Sequence, residues 1–364
     1  MLEGIAYVLS TGIGWAKLPR QRGYGSGWTC WRRMREWQHA GVFDRLHQAV
    51  LDRLGQQGRL DWSHDKGGSM STAETIEVPH LGGSTIGYKF GKPYDASLPT
   101  LVMSNSFSTS VELYRPQFAD EQLNAAANVL AFEPYGHGRT RASYAQFTYW
   151  DSAIANLQAL EALGIPQAFV LGTSQGGWVA TRMAMLAPQV VQGIIPVGTS
   201  MDYESQRSRE AGCWDGIAFC TPAIDALAAP VGDDWIIPPD LVDAVLLEGF
   251  GEDVPPEERS FWHAEHQKNY TGDAGRERLR IISINLRDRD GLEARLDSVR
   301  CPVLWMQGTA DRVYSVANAQ EEIKLFVNSR AVELRVVDGG QHFLSATHPD
   351  EVNAATVEFI KRWT

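Results

Sequence analysis

The chain has 364 residues, 44% of them hydrophobic, and a formal net charge of −11. It can bury a large core and is long enough for more than one domain. No apolar run reaches the roughly 18 residues of a membrane span, no cationic-then-apolar leader opens the chain, and Cys30, Cys213, Cys220 and Cys301 are too few and scattered for a disulfide framework. A membrane-spanning or disulfide-scaffolded protein is excluded, and a cytoplasmic chain with reduced thiols is expected.

Charge splits the sequence. Residues 1–69 carry 10 Lys and Arg against 6 Asp and Glu, leaving 23 against 38 for the remainder. A basic head on an acidic body suggests separate origins. Met1-Leu2-Glu3-Gly4-Ile5-Ala6-Tyr7-Val8-Leu9 reads as a helix, and Thr11-Gly12-Ile13-Gly14-Trp15 as a turn. A second helix follows Gly25-Ser26-Gly27 and carries Trp28, Trp31, Arg32, Arg33, Arg35 and Trp37; a third runs from about Val42 to Leu54. Arginines and tryptophans on the middle helix suit DNA phosphates, or a small tryptophan core with solvated arginines.

On Leu2-Glu3-Gly4-Ile5-Ala6-Tyr7-Val8-Leu9 and Thr29-Cys30-Trp31-Arg32-Arg33, this head resembles the N-terminal helical region of DDE-type insertion-sequence transposases. The resemblance stops near Trp62, and the carboxylate-bearing catalytic domain of those enzymes does not follow. Met70-Ser71-Thr72-Ala73 reads like the natural start of what comes next. The head is read as a truncated insertion element fused in frame, or a start codon placed too early. A DNA-tethering domain and a helical packing extension are the alternatives, and nucleic acid is not the expected partner.

Strands are expected near 74–79, 83–89 and 99–105, a helix near 111–125, a strand at 128–133 and a helix from about 150 to 163. Alternation of this kind argues a mostly parallel sheet covered on both faces. Gln167-Ala168-Phe169-Val170-Leu171 is an apolar strand, and Gly177-Trp178-Val179-Ala180-Thr181-Arg182-Met183-Ala184 is helix-like. Between them stands Gly172-Thr173-Ser174-Gln175-Gly176, the G-x-S-x-G pattern in its strand–turn–helix context, which makes Ser174 the candidate nucleophile. A serine hydroxyl needs a base to take its proton and an acid to orient that base. In an elbow of this kind the order along the chain is Ser, Asp or Glu, then His.

After a strand at 193–197 the alternation lapses, so residues 198–297 read as an inserted helical cap. It holds Trp214, Phe219, Trp235, Phe250, Phe261, Trp262 and Tyr270, which would either line an apolar pocket over the site or form the cap's own core. His263-Ala264-Glu265-His266 is not H-E-x-x-H and has no evident third ligand, so no metal is expected. Cys301-Pro302-Val303-Leu304-Trp305-Met306-Gln307-Gly308 reads as a strand with Asp311 just beyond it. Ala331-Val332-Glu333-Leu334-Arg335-Val336-Val337 reads as the next, with His342 in its loop. Asp311 and His342 thus sit past the carboxyl ends of strands, where α/β sheets place their sites. Asp202, after the 193–197 strand, is the alternative acid.

Over residues 73–363 the motif order resembles the α/β-hydrolase superfamily. Leu101-Val102-Met103-Ser104-Asn105-Ser106-Phe107-Ser108 stands where many relatives carry His-Gly-x, and its Ser-Asn-Ser form resembles 3-oxoadipate enol-lactonases and neighbouring esterases. That match implies an oxyanion hole from the backbone N–H groups of Phe107 and Gln175. Phe132-Glu133-Pro134-Tyr135-Gly136-His137-Gly138-Arg139-Thr140 resembles the family's Asp-x-Arg-Gly-His-Gly-x-Ser loop, which implies a structural role for His137.

The expectation is an α/β-hydrolase fold, with a mostly parallel central sheet, helices on both faces, an inserted helical cap and a short all-helical N-terminal extension. Its parts are residues 1–69, 70–197, 198–297 and 298–364. The expected activity is hydrolysis of a small-molecule ester or lactone through an acyl-enzyme, with no metal and, lacking G-x-G-x-x-G or G-x-x-x-x-G-K-[ST], no nucleotide or organic cofactor. A C–C bond hydrolase, an acyltransferase and a ligand-binding protein on the same fold remain as alternatives; C–C hydrolases usually carry a His-Gly-x-Gly loop, absent here.

Overall fold

A computed structural model describes residues 8, 17–19, 23, 24, 26–39 and 73–364. Backbone contacts divide the chain into two compact units, Met1–Ser69 and Met70–Thr364. In the first, the tryptophan-rich basic segment forms the helix Gly27–His39. Ser26 Oγ accepts from the Thr29 N–H at 3.1 Å across its first turn, and Cys30 is buried with Val8 and Leu18. Apart from Val8, the helices expected near 1–9 and 42–54 and the turn at 11–15 lie outside the described residues.

The second unit is built on a nine-stranded sheet. Its strands are β1 (Glu74–Val78), β2 (Ser84–Phe90), β3 (Thr100–Ser104), β4 (Asn128–Phe132), β5 (Arg141–Ala142), β6 (Ala168–Thr173), β7 (Val191–Val197), β8 (Val303–Gly308) and β9 (Val332–Val337). They lie in the order β1-β2-β4-β3-β6-β7-β8-β9, with β5 beside β2. β2 is antiparallel to its neighbours, and from β4 across to β9 every pairing is parallel.

The central strands are apolar at consecutive positions because both faces are covered. Val102, Leu130, Val170, Ile194 and Trp305 join one core with the helices Tyr149–Ala162 and Gln175–Leu186. Their alternates Met103, Ala131, Leu171, Ile195 and Met306 join another with the C-terminal helix Pro349–Trp363. The chain winds from β3 outward to β4, then returns to place β6 on the other side of β3. At that reversal the loops after β3 and β6 diverge at the carboxyl edge and leave a crevice between them.

Two local readings need correction. The single helix expected over 111–125 is a 3₁₀ turn Val111–Tyr114, a helix Arg115–Ala119 and a helix Glu121–Ala126. Asp120 breaks it: its backbone is extended and its carboxylate accepts from the Leu123 N–H, capping the second helix. The sequence reading also passed over β5 and the helices Val316–Glu322 and Pro349–Trp363.

Between β7 and β8 lie the helices Gln206–Glu210, Gly216–Ala226, Pro239–Phe250, Pro256–Asn269 and Gly272–Asp288. They have their own apolar core, in which Trp262 and Tyr270 are fully buried and Trp235, Phe250 and Phe261 pack alongside. Phe343 N–H donates to Gly249 O at 2.7 Å and Trp214 N–H to Val313 O at 2.9 Å, tying these helices to the loops after β9 and β8.

Candidate active site

Ser174 sits between β6 and the helix Gln175–Leu186 at φ 55°, ψ −120°, a conformation that non-glycine residues rarely adopt. The turn requires glycines on either side. A Cβ on Gly172 would lie 2.0 Å from Gly176 O, and one on Gly176 would lie 1.9 Å from Ser104 O. Ser174 N–H donates to Val197 O at 2.9 Å, and its carbonyl accepts from Thr199 Oγ1 at 2.8 Å. The backbone is therefore held from outside the turn, and the hydroxyl faces the crevice.

Ser174 Oγ lies 2.9 Å from His342 Nε2, and His342 Nδ1 lies 3.1 Å from the Asp311 carboxylate. A carboxylate only accepts, so the Nδ1 proton goes to Asp311 and Nε2 accepts from the serine. Asp311 is fixed by three further donors: Val313 N–H at 2.8 Å, Tyr314 N–H at 3.0 Å and the Gln307 side-chain amide at 2.7 Å. The side chains of Asp311 and His342 are 0% and 5% exposed, so this relay is shielded from solvent screening. Asp202 does not reach His342. It accepts from Tyr203 N–H, Ser205 Oγ and, at 2.9 Å, Arg207, which also bridges Glu293 and Glu322.

Gln175 begins its helix, so its N–H has no acceptor within that helix and sits at the positive end of the helix dipole. Among the described residues no protein acceptor meets it or the Phe107 N–H. Ser106 C=O accepts from the Asn105 side-chain amide at 3.1 Å, from Thr109 N–H at 3.3 Å and from Thr109 Oγ1 at 2.8 Å. A trans peptide is planar, so a carbonyl drawn into its own loop sends the following N–H, that of Phe107, the opposite way.

His137 joins these parts. Its Nδ1 donates to Tyr135 O at 2.9 Å, leaving Nε2 to accept from Ser108 N–H at 3.1 Å and the Gln175 amide at 2.8 Å. Burial pushes its pKa down to about 4, which keeps the ring a neutral acceptor. Both of its ring nitrogens are thus engaged, and beside Ser174 only His342 is hydrogen-bonded among the described residues.

Phe107, Trp214, Phe219, Val245, Leu286 and Phe343 give the crevice an apolar wall around Ser174 and His342. Of the seven aromatics weighed for this role, Trp214 and Phe219 line it and the other five belong to the cap core. Glu248 also lines it, and burial raises its carboxyl above the ordinary range. Sequence reasoning missed Glu248, although a signal was present: it falls three residues after the buried Val245 and so on the helix's inward face. The Gln307 amide and the Asn105–Thr109 staple were missed as well; polar residues inside an apolar strand or a Ser-rich turn carry no signature of their partners.

A family model described as "Alpha/beta hydrolase family" matches residues 102–355. The chain belongs to the α/β-hydrolase family. A second model, "Putative transposase of IS4/5 family", matches residues 1–47 of this α/β hydrolase. The same head is similar to the "Insertion element IS402 uncharacterized 16.2 kDa protein" of Burkholderia cepacia, 53% identical over 62 residues, 17% of this chain and 42% of that one. The body is similar to "Putative carbamate hydrolase RutD" of Pantoea ananatis, 23% identical over 278 residues, 76% of this chain and 93% of that one. Three of the curated relatives are matched over less than half their length. In fold it is similar to the enol-lactonase of Burkholderia xenovorans LB400, with a TM-score of 0.59 and 20% identity over 79% of this chain and 100% of that one. Among the described residues no helix is long and apolar enough to cross a membrane.

Proposed function

We propose that this α/β hydrolase is a serine hydrolase that cleaves a small carboxylic ester or lactone through an acyl-enzyme on Ser174. The observation that carries this reading is the continuous relay from Ser174 through His342 to Asp311 beside an apolar cavity. Ser174 Oγ attacks the carbonyl carbon as its proton passes to His342 Nε2, and Asp311 stabilises the imidazolium. The developing oxyanion takes the N–H groups of Phe107 and Gln175, each such donor contributing roughly 10²–10³ in rate. His342 returns the proton to the leaving alkoxide. It then takes one from water, whose oxygen attacks the acyl carbon, and passes it to Ser174 Oγ as the bond between serine and acyl carbon breaks, releasing the acid and the free enzyme. A fluorophosphonate probe should label Ser174, as mapped by peptide mass spectrometry. Label on another residue, or none, would reject the assignment.

The cavity bears on which acyl groups fit. Its apolar wall suits a short uncharged chain. Glu248, paired with Arg312 at 3.8 Å, would repel an acyl group ending in a carboxylate. Glu248→Gln is therefore expected to raise kcat/KM for a p-nitrophenyl succinate monoester about 10-fold relative to the butyrate ester. An unchanged ratio would remove Glu248 from substrate selection.

The division into residues 1–69, a core at 70–197 and 298–364, and a cap at 198–297 is part of the same proposal. Every group invoked above lies between Asn105 and Phe343. Deleting residues 1–69 is expected to leave kcat within about twofold, as for removal of a separate domain; aggregation of the shortened chain would make the head part of the fold.

A further inference from the structure

We infer that the cap helix Pro256–Asn269 holds loop 105–110 in its working conformation, with His266 as a positioning residue that acts through Ser108. The inference rests on the serine-hydrolase reading above.

Among the described residues three non-glycines have positive φ: Leu81, Ser108 and Ser174. Two of them therefore flank the position assigned to the oxyanion. Ser174 stands in a glycine-flanked turn whose backbone is held by Val197 and Thr199, whereas Ser108, at φ 55°, has no glycine elbow around it. A left-handed serine persists only where its surroundings over-determine it. Here they do so from two elements distant in sequence. His137 accepts the Ser108 N–H at 3.1 Å, and His266 Nε2 lies 3.0 Å from Ser108 Oγ. His266 Nδ1 faces Trp262 O at 2.8 Å and must donate to it, so Nε2 accepts the Ser108 hydroxyl. Burial brings the His266 pKa down to about 4, which leaves that nitrogen's lone pair available at neutral pH.

A second contact comes from the same helix. Glu265 accepts from Ser110 Oγ at 2.8 Å and is itself held by Lys268 at 3.0 Å and Asn269 at 3.2 Å. Glu265 and His266 thus grip the loop at Ser110 and Ser108, on the C-terminal side of the Ser106–Phe107 peptide whose N–H is at issue. If Ser108 relaxes to negative φ, the chain on that side swings and the Phe107 N–H loses its aim. The His-Ala-Glu-His stretch, weighed as a metal motif, serves as a clamp instead. Its first histidine faces Asp243 at 2.9 Å and takes no part.

The test uses p-nitrophenyl butyrate and the full-length protein. His266→Ala and Ser108→Ala should each lower kcat about 10–10²-fold with KM within about threefold, the signature of losing part of an oxyanion hole. His266→Gln, which keeps an acceptor, should recover to within about fivefold of wild type. Glycine takes φ 55° without strain, so adding Ser108→Gly to His266→Ala should restore kcat to within about fivefold of wild type. A double variant no faster than His266→Ala alone, or a loss that falls on KM, overturns the inference and leaves His266 an ordinary cap-core residue. Ser174→Ala measured alongside separates the two claims: if it still turns over, the serine-hydrolase reading fails, and if it is inactive while the double variant stays slow, only the clamp fails.

Discussion

Replacing Ser174 by alanine is expected to lower kcat for p-nitrophenyl butyrate by at least about 10⁴-fold, since loss of the nucleophile disables the whole relay. The melting temperature should stay within about 2 °C, as for a small change with no cavity of consequence. Both expectations follow from the same contacts. The Ser174 side chain makes one hydrogen bond, to His342, while the turn is held through its backbone by Val197 and Thr199. Alanine keeps the Cβ that φ 55° already accommodates, so strain is unchanged. Ser106 lines the cavity as well, but its hydroxyl is buried and has no hydrogen-bonded base among the described residues. Retained turnover, measured as initial rate at saturating ester, would take Ser174 out of the mechanism.

Asp311→Asn is expected to cost about 10³–10⁴ in kcat, through the wrong imidazole tautomer. Asp311 accepts four donors, from His342, Val313, Tyr314 and Gln307. An asparagine offers one acceptor atom and an NH₂ that must face at least one of those donors or turn towards the imidazole. If the NH₂ faces His342, Nδ1 becomes the acceptor, the proton moves to Nε2, and the ring can no longer take one from Ser174. Asp202→Asn serves as the comparison. Its carboxylate meets Arg207 among Glu293 and Glu322, so its loss should appear as a lower melting temperature with kcat within about threefold. Should Asp202→Asn be the slower enzyme, the acid would be reassigned.

The carboxylate cluster that Arg207 spans also illustrates how burial alters what a sequence can convey. Asp202, Glu293 and Glu322 are 91 and 29 residues apart in chain order, yet their oxygens lie within 4.8 Å of one another. The two segments that lead into and out of the inserted helices are joined by Leu292 N–H donating to Met201 O at 2.6 Å and by Arg289 Nε donating to Asp202 O at 3.3 Å. Nothing in the local sequence around any of these residues announces the meeting.

What the chain determines on its own is whatever short-range sterics and periodicity dictate. Gly172 and Gly176 must be glycine because the strand and helix on either side of Ser174 all but touch, and that constraint is visible within five residues. Buried parallel strands read as continuous apolar runs because both of their faces are covered, so β3, β4, β6, β7 and β8 were legible within one or two residues. Asp120 was misread because a capping carboxylate and a mid-helix carboxylate look alike until the backbone turn is known.

Which side chains meet across the molecule was decided only by tertiary packing. Asp202 and Asp311 both follow strands of the same sheet, and the sequence offers either to His342; the turn at Val313 and Tyr314 brings Asp311 there. Trp214 and Phe219 face the cavity while Trp262 and Tyr270 fill the cap, a division set by helix orientation rather than by residue type. His266 finds Ser108 across 158 residues of chain. Contacts of that span have no local code, because the energy of a hydrogen bond depends on where the fold delivers its two ends and not on the residues that flank them.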